Sequence, residues 1–153
     1  MANTYTQLYI QFVFAVQNRG GLIQPQWEDE LYKYITGIVR NHNHKMIAIN
    51  GIEDHVHLFV GLHPTQSISD LMKFVKGDSS EWINQKKLVK EKFQWQKGYG
   101  AFSYSRRQID SVYRYIMDQK EHHKKISLQN EYREYLKEFE ILYDEKFIFK
   151  SIL

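Results

Sequence analysis

Apolar and polar residues alternate from Tyr5 to Val16. Leu8, Ile10, Phe12, Phe14 and Val16 fall on one side, and Gln7, Tyr9 and Gln11 on the other. Successive side chains of a strand point to opposite faces, so this pattern predicts a half-buried strand. Asn18-Arg19-Gly20-Gly21 predicts a loop. Pro25 suits the first turn of a helix, and Leu31, Ile35, Ile38 and Val39 follow at helical spacing until Asn41-His42-Asn43-His44 ends the run. Met46 to Ile52 predicts a second strand, Gly51 to Asp54 a turn, and His55 to Leu62 a third strand. Ser67 with Asp70 three residues on approximates a capping box. It opens a helix with a stripe of Ile68, Leu71, Met72 and Val75, which Gly77 interrupts or which runs on to Trp82. Residues 84–98 are polar and basic, and predict a loop or a short strand. Tyr99 to Ser105 predicts a fourth strand, and Arg106 to about Lys120 a helix whose apolar side is Ile109, Val112, Tyr113 and Ile116. A last helix is expected near Asn130–Ile141, and the Phe147-Ile148-Phe149 tail needs a surface to pack on.

The order strand, helix, strand, strand, helix, strand predicts an α+β fold, the ferredoxin-like split βαβ sandwich, with one further C-terminal helix. Its antiparallel sheet carries helices on one face, which leaves the other free to build a site. At 153 residues the chain suits one domain. It has no cysteine, which excludes disulfides and thiolate zinc sites. No apolar stretch approaches the roughly 20 residues that cross a bilayer, and the N-terminus lacks a signal pattern, so a cytoplasmic protein without membrane contact is expected.

Charge is unevenly spread. Residues 86–125 carry eleven Lys/Arg against four Asp/Glu, while the segments before and after are slightly acidic. Phe93, Trp95, Tyr99, Phe102, Tyr104 and Tyr113 are interleaved with these cations. Cations attract phosphates and aromatic faces stack on unpaired bases, which suits single-stranded nucleic acid. A solvated basic face over core aromatics gives the same composition.

The candidate chemistry lies in the third strand. Val56, Leu58, Val60 and Leu62 share its core face, and His55 and His57 share the other, close enough to hold one metal ion. Two imidazoles suit Zn, Mn or similar ions, and phosphate oxygens would let Mg²⁺ join. Asp54 either orients a histidine or serves the turn. Downstream, Tyr115 and Gln119 are four apart on the helical pattern and so share a face. A metal pair with a phenol suggests phosphoryl transfer to a tyrosine nucleophile. Tyr113 falls on the apolar stripe and reads as packing. His122 and His123 complement the helix C-terminal dipole, though His122, three residues after Gln119, is placed to approach a metal.

The run Gly51-Ile52-Glu53-Asp54-His55-Val56-His57-Leu58, followed by Tyr115-x-x-x-Gln119, resembles the HUH single-tyrosine transposases of the insertion sequence 200/605 group, repeat-associated domesticated relatives included. The likeness spans about residues 5–121 and leaves 122–153 as a C-terminal helical extension. It implies a homodimer that cuts and rejoins single-stranded DNA at element ends, which often carry hairpins. It implies that His55, His57 and Gln119 bind one divalent metal, Mg²⁺ or Mn²⁺, and that Tyr115 forms a 5′-phosphotyrosine link. In this family the tyrosine helix can dock against the partner subunit's histidines. Charge and sequence proximity make Lys73, Lys76, Arg106, Arg107 and Arg114 the DNA-contact candidates. The alternatives are a domesticated hairpin-DNA nickase, a non-catalytic ferredoxin-like RNA-binding module and a structural metal-binding domain.

Overall fold

Strands β1 (Tyr9–Ala15), β2 (Lys45–Ile52), β3 (His55–Gly61) and β4 (Gly100–Tyr104) form one antiparallel sheet in the order β2-β3-β1-β4. This is the ferredoxin-like arrangement that the element order predicts. The computed structural model describes residues 3–153. Helices α1 (Pro25–Asn41) and α2 (Ile68–Gln85) cover one face. Phe12, Phe14, Val16, Val56, Leu58 and Val60 pack there against Leu31, Ile35, Leu71, Met72 and Val75, all essentially without exposure. Each such burial contributes roughly 1.5–3 kcal/mol, which pins the register of β1 and β3, because a one-residue slip would turn these side chains outward. Ser67 caps α2 by accepting the Asp70 amide at 3.1 Å. Gly77 does not interrupt α2, which runs on to Gln85.

The second face is not free, and this corrects the expectation from the sequence. Helices α3 (Ile109–Met117), α4 (Gln119–His122) and α5 (Leu128–Glu138) lie over it. Phe59 and Ala48 pack on Val112 and Ile116 of α3. Val13, Ala15 and Phe102 pack on Leu128, Tyr132, Tyr135 and Leu136 of α5 and on Phe149 of the tail. The tail is tied down further: Gln96 hydrogen-bonds both the amide and the carbonyl of Lys150, and Arg19 donates to the Ile152 carbonyl at 2.8 Å. Of the apolar tail residues, Phe149 is buried and Phe147 stays exposed.

The predicted helix from Arg106 to Lys120 is broken. A 3₁₀ turn at Arg106–Gln108 precedes α3, and Asp118 separates α3 from α4. Asn50 on β2 explains the break, because its amide donates to the carbonyls of Ile116 at 3.0 Å and Met117 at 3.2 Å. Tyr113 also departs from the prediction: it is 43% exposed, while Tyr115 turns inward. The aromatics Phe93, Trp95 and Phe102 are buried, so these rings are core rather than stacking surfaces.

Gly51 sits where β2 meets the histidine strand. A methyl group there would lie 2.1 Å from the His55 backbone oxygen. Gly51→Ala is therefore expected to destabilise the fold by about 1–3 kcal/mol, whereas Gly37→Ala, which meets nothing within 4 Å, is expected to be neutral or stabilising. Denaturant melts of the two variants check this, and an unchanged midpoint for Gly51→Ala would refute it.

Candidate metal and nucleophile site

The alternation of β3 turns His55, His57 and Phe59 toward the helical layer of α3–α5. Both imidazoles are fully buried, with ring centroids 5.0 Å apart. Each ring is oriented through its Nδ1 atom. His55 Nδ1 donates to Asp54 Oδ1 at 2.7 Å, so Asp54 is the orienting residue and not only a turn residue. The Gln11 amide donates to His57 Nδ1 at 2.8 Å and to the Tyr135 hydroxyl at 3.0 Å, and Gln11 Oε1 accepts from Tyr104. Both Nε2 atoms then point at one spot. These tautomers follow from the partners each nitrogen meets.

A carboxylate that the sequence reading passed over occupies that spot. Glu131 Oε1 lies 2.9 Å from His57 Nε2, 3.1 Å from His123 Nε2 and 3.4 Å from His55 Nε2. Glu131 Oε2 accepts from Gln119 Nε2 at 3.1 Å and, in a short contact, from the Tyr115 hydroxyl. Gln119 Oε1 lies 3.1 Å from His55 Nε2. His122 Nε2 contacts the Tyr115 hydroxyl at 3.1 Å, so this histidine serves the phenol more closely than the histidine pair. His55, His57, Tyr115 and Gln119 are thus brought together within one chain. The tyrosine ring lies 6.1 Å from its own chain's His57, rather than reaching out toward a partner.

The charges are mutually dependent. Burial disfavours the His55 cation, but the Asp54 and Glu131 carboxylates outweigh it and raise the pKa to about 9. Burial lowers His57, against the attraction of Glu131. Glu131 is also penalised by burial, yet His57, His123 and His55 hold it well below the usual carboxylate range. Burial, followed by the Glu131 charge, pushes the Tyr115 phenol far above its ordinary value. The phenol is therefore protonated at rest. A cleft of about 370 Å³, lined by Tyr104, Gln108, Ser111, Glu134 and Tyr135 among others, leads to Tyr115 and Glu131.

The ligand atoms of His55, His57, His123 and Glu131 all lie within 4.8 Å of one another. Roughly 2.1 Å bonds to a common ion would need only a small contraction of such a group. Glu131 had a sequence signal. Leu128, Glu131, Tyr132, Tyr135 and Leu136 form the buried stripe of α5, so a lone acid interrupts an otherwise apolar face. His123, Gln11 and Asn50 carried no comparable mark.

The cation candidates separate. Arg106, Arg107 and Arg114 are exposed at the start and on the surface of α3. Lys73 and Lys76 belong to α2 on the opposite layer, so the five do not form one patch. Lys76 is also committed elsewhere: its ammonium donates to the carbonyls of Gln96 at 2.8 Å and Gly98 at 2.7 Å.

A four-stranded ferredoxin-like sheet that presents His-x-His to a helix-borne tyrosine defines the HUH class of single-tyrosine transposases. The family described as "Transposase IS200 like" matches residues 4–119, and the chain belongs to it. Two solved structures share the fold. One, a candidate transposase from Deinococcus radiodurans R1, is 21% identical, with a TM-score of 0.62 over 78% of this chain and 95% of that one. The other, a REP-associated tyrosine transposase bound to a REP hairpin, is 15% identical, with a TM-score of 0.61 over 82% of this chain and 74% of that one. No curated protein is significantly similar to this chain. Among the described residues, no helix is long and apolar enough to cross a membrane.

Proposed function

We propose that this transposase cuts and rejoins single-stranded DNA through a 5′-phosphotyrosine link at Tyr115, at a centre where His55, His57 and Gln119 hold a divalent metal, Mg²⁺ or Mn²⁺. The observation that carries this reading is the convergence of two buried, oriented imidazoles, an amide oxygen and a phenol on one point. The donor set fits such an ion: imidazole nitrogens and carbonyl-type oxygens are accepted by Mn²⁺, and Mg²⁺ can join through phosphate oxygens. A bound ion would polarise the scissile phosphate and offset its charge. Tyr115 supplies the nucleophile. Its oxygen bonds to phosphorus as the bond to the 3′ oxygen breaks, and the phenolic proton passes by way of His122, which contacts the hydroxyl, to the leaving 3′ oxygen, which departs as a hydroxyl. The phosphodiester energy stays in the tyrosine ester, so the reverse attack by a 3′-hydroxyl rejoins strands without nucleotide hydrolysis.

The DNA partner is proposed to carry hairpins, as does the ligand named for the REP-associated neighbour. Arg106, Arg107 and Arg114 are the favoured contacts, being exposed on the layer that holds the site. Lys73 is an exposed outlier on the other layer, and Lys76 is better explained as a structural tie. The protein is proposed to act as a homodimer with each site built within one chain. Burial of Phe93, Trp95 and Phe102 removes the support for base stacking by an RNA-binding module.

The test is incubation with single-stranded and duplex DNA from the borders of the gene, in Mn²⁺ or Mg²⁺. The expected result is a denaturant-resistant adduct on the 5′ end of the cut single strand, mapped to Tyr115 by peptide mass spectrometry. Cleavage without an adduct would point to metal-activated water instead, and a link to another residue would displace Tyr115 from this role.

A further inference from the structure

Glu131 and His123 lie outside the ligand set proposed above, yet they stand at its centre. The geometry there is close-set. Asp54 holds His55 Nδ1, so His55 Nε2 is aimed at Gln119 Oε1, 3.1 Å away, and at Glu131 Oε1, 3.4 Å away. The Ile126 carbonyl holds His123 Nδ1 at 2.8 Å, so His123 Nε2 is aimed at Glu131 Oε1, 3.1 Å away. His57 Nε2 meets the same oxygen at 2.9 Å. Three oriented imidazole nitrogens and a carboxylate oxygen therefore converge within 4.8 Å of one another, which is the donor set of a transition-metal site.

We propose that Glu131 and His123 are ligands of the same divalent ion as His55 and His57, so that the C-terminal helix α5 is built into the metal centre. The inference rests on the metal-dependent function proposed above. The placement of Glu131 is not incidental. It sits on the apolar stripe of α5, and Tyr132 and Tyr135 anchor that stripe on Phe102 of the sheet at ring separations of 6.3 and 4.8 Å. The carboxylate is thus held in position before any ligand arrives. Three imidazoles, one carboxylate and the Gln119 oxygen favour Mn²⁺ or a later transition metal over Mg²⁺, which prefers oxygen and keeps its waters.

The experiment uses the full-length protein stripped of metal, with Mn²⁺ binding read from the electron paramagnetic resonance signal of the free ion and Mg²⁺ as competitor. Glu131→Gln and His123→Ala are each expected to weaken Mn²⁺ binding at least about tenfold and to reduce the preference over Mg²⁺. Glu30→Gln, which removes the same charge from the exposed surface of α1 on the opposite layer, is expected to bind as the parent does. Circular dichroism establishes folding, and His123→Ala carries the test alone if Glu131→Gln does not fold. Parental affinity in both Glu131→Gln and His123→Ala, with loss in His57→Ala, would overturn the ligand assignment and leave the metal-dependent function standing. Parental affinity in His57→Ala as well would remove the metal from this site and with it both proposals.

Discussion

Tyr115→Phe is expected to abolish the covalent adduct and to reduce strand cleavage to background, a loss of at least about 10³-fold. The substitution removes one oxygen and leaves the ring where it packs, edge-on to Tyr135 at 6.1 Å. Glu131 Oε2 keeps its bond from Gln119, so the lost hydrogen bond should cost only about 1 kcal/mol of stability. No charge changes, so DNA affinity and its salt dependence are expected to hold. Tyr113→Phe provides the contrast. That side chain is 43% exposed and lies outside the site, so both chemistry and stability should match the parent. Gel assays of cleavage and binding on both variants decide the matter. Cleavage by Tyr115→Phe within a few-fold of the parent would mean that another group attacks.

Much of the fold was legible because its two central strands obey a strict period. Ile10, Phe12, Phe14 and Val16 on β1, with Val56, Leu58 and Val60 on β3, all face α1 and α2, as alternation requires. Helix ends were legible where local chemistry sets them, as at Pro25 and Ser67. The break at Asp118 was not, because its cause is Asn50, an amide from a strand 66 positions away in sequence. Of the expected stripe on α3, Val112 and Ile116 are buried and Ile109 is half-buried, while Tyr113 at its edge stays 43% exposed.

The site was legible in part for the same reason. His55 and His57 share a face by strand geometry alone, and Tyr115 with Gln119 by spacing. What the spacing could not convey is that the facing layer is closed. The histidines were expected off the core, on a face open to substrate, yet α3, α4 and α5 cover them completely. The closing helix belongs to the segment after the family match, which ends at residue 119. Glu131 and His123 lie in that segment, and neither stands at a fixed spacing from the His-x-His pair. Their approach to it is a property of how α5 packs on Phe102 and Val13, a contact between distant parts of the chain.

Burial changes what removal of a metal ligand should do. On an open face, His57→Ala would be silent in the fold. Here the imidazole is fully buried between Gln11 and Glu131. Its loss leaves the Gln11 amide short of an acceptor and takes a donor from a buried carboxylate. Leaving such groups unsatisfied costs about 1–3 kcal/mol each, and the vacated volume adds to that. His57→Ala is therefore expected to abolish metal-dependent cleavage and also to lower the stability of the metal-free protein by roughly 2–5 kcal/mol. His63→Ala, which removes an exposed imidazole bonded to Thr65, should change neither. Chelation of the parent protein separates the two effects. It should stop cleavage and remove only the stability that ion binding adds, so His57→Ala should melt below the chelated parent. Cleavage by His57→Ala at the parental rate, or by the parent in excess chelator, would show that the buried histidines serve the fold and not the reaction.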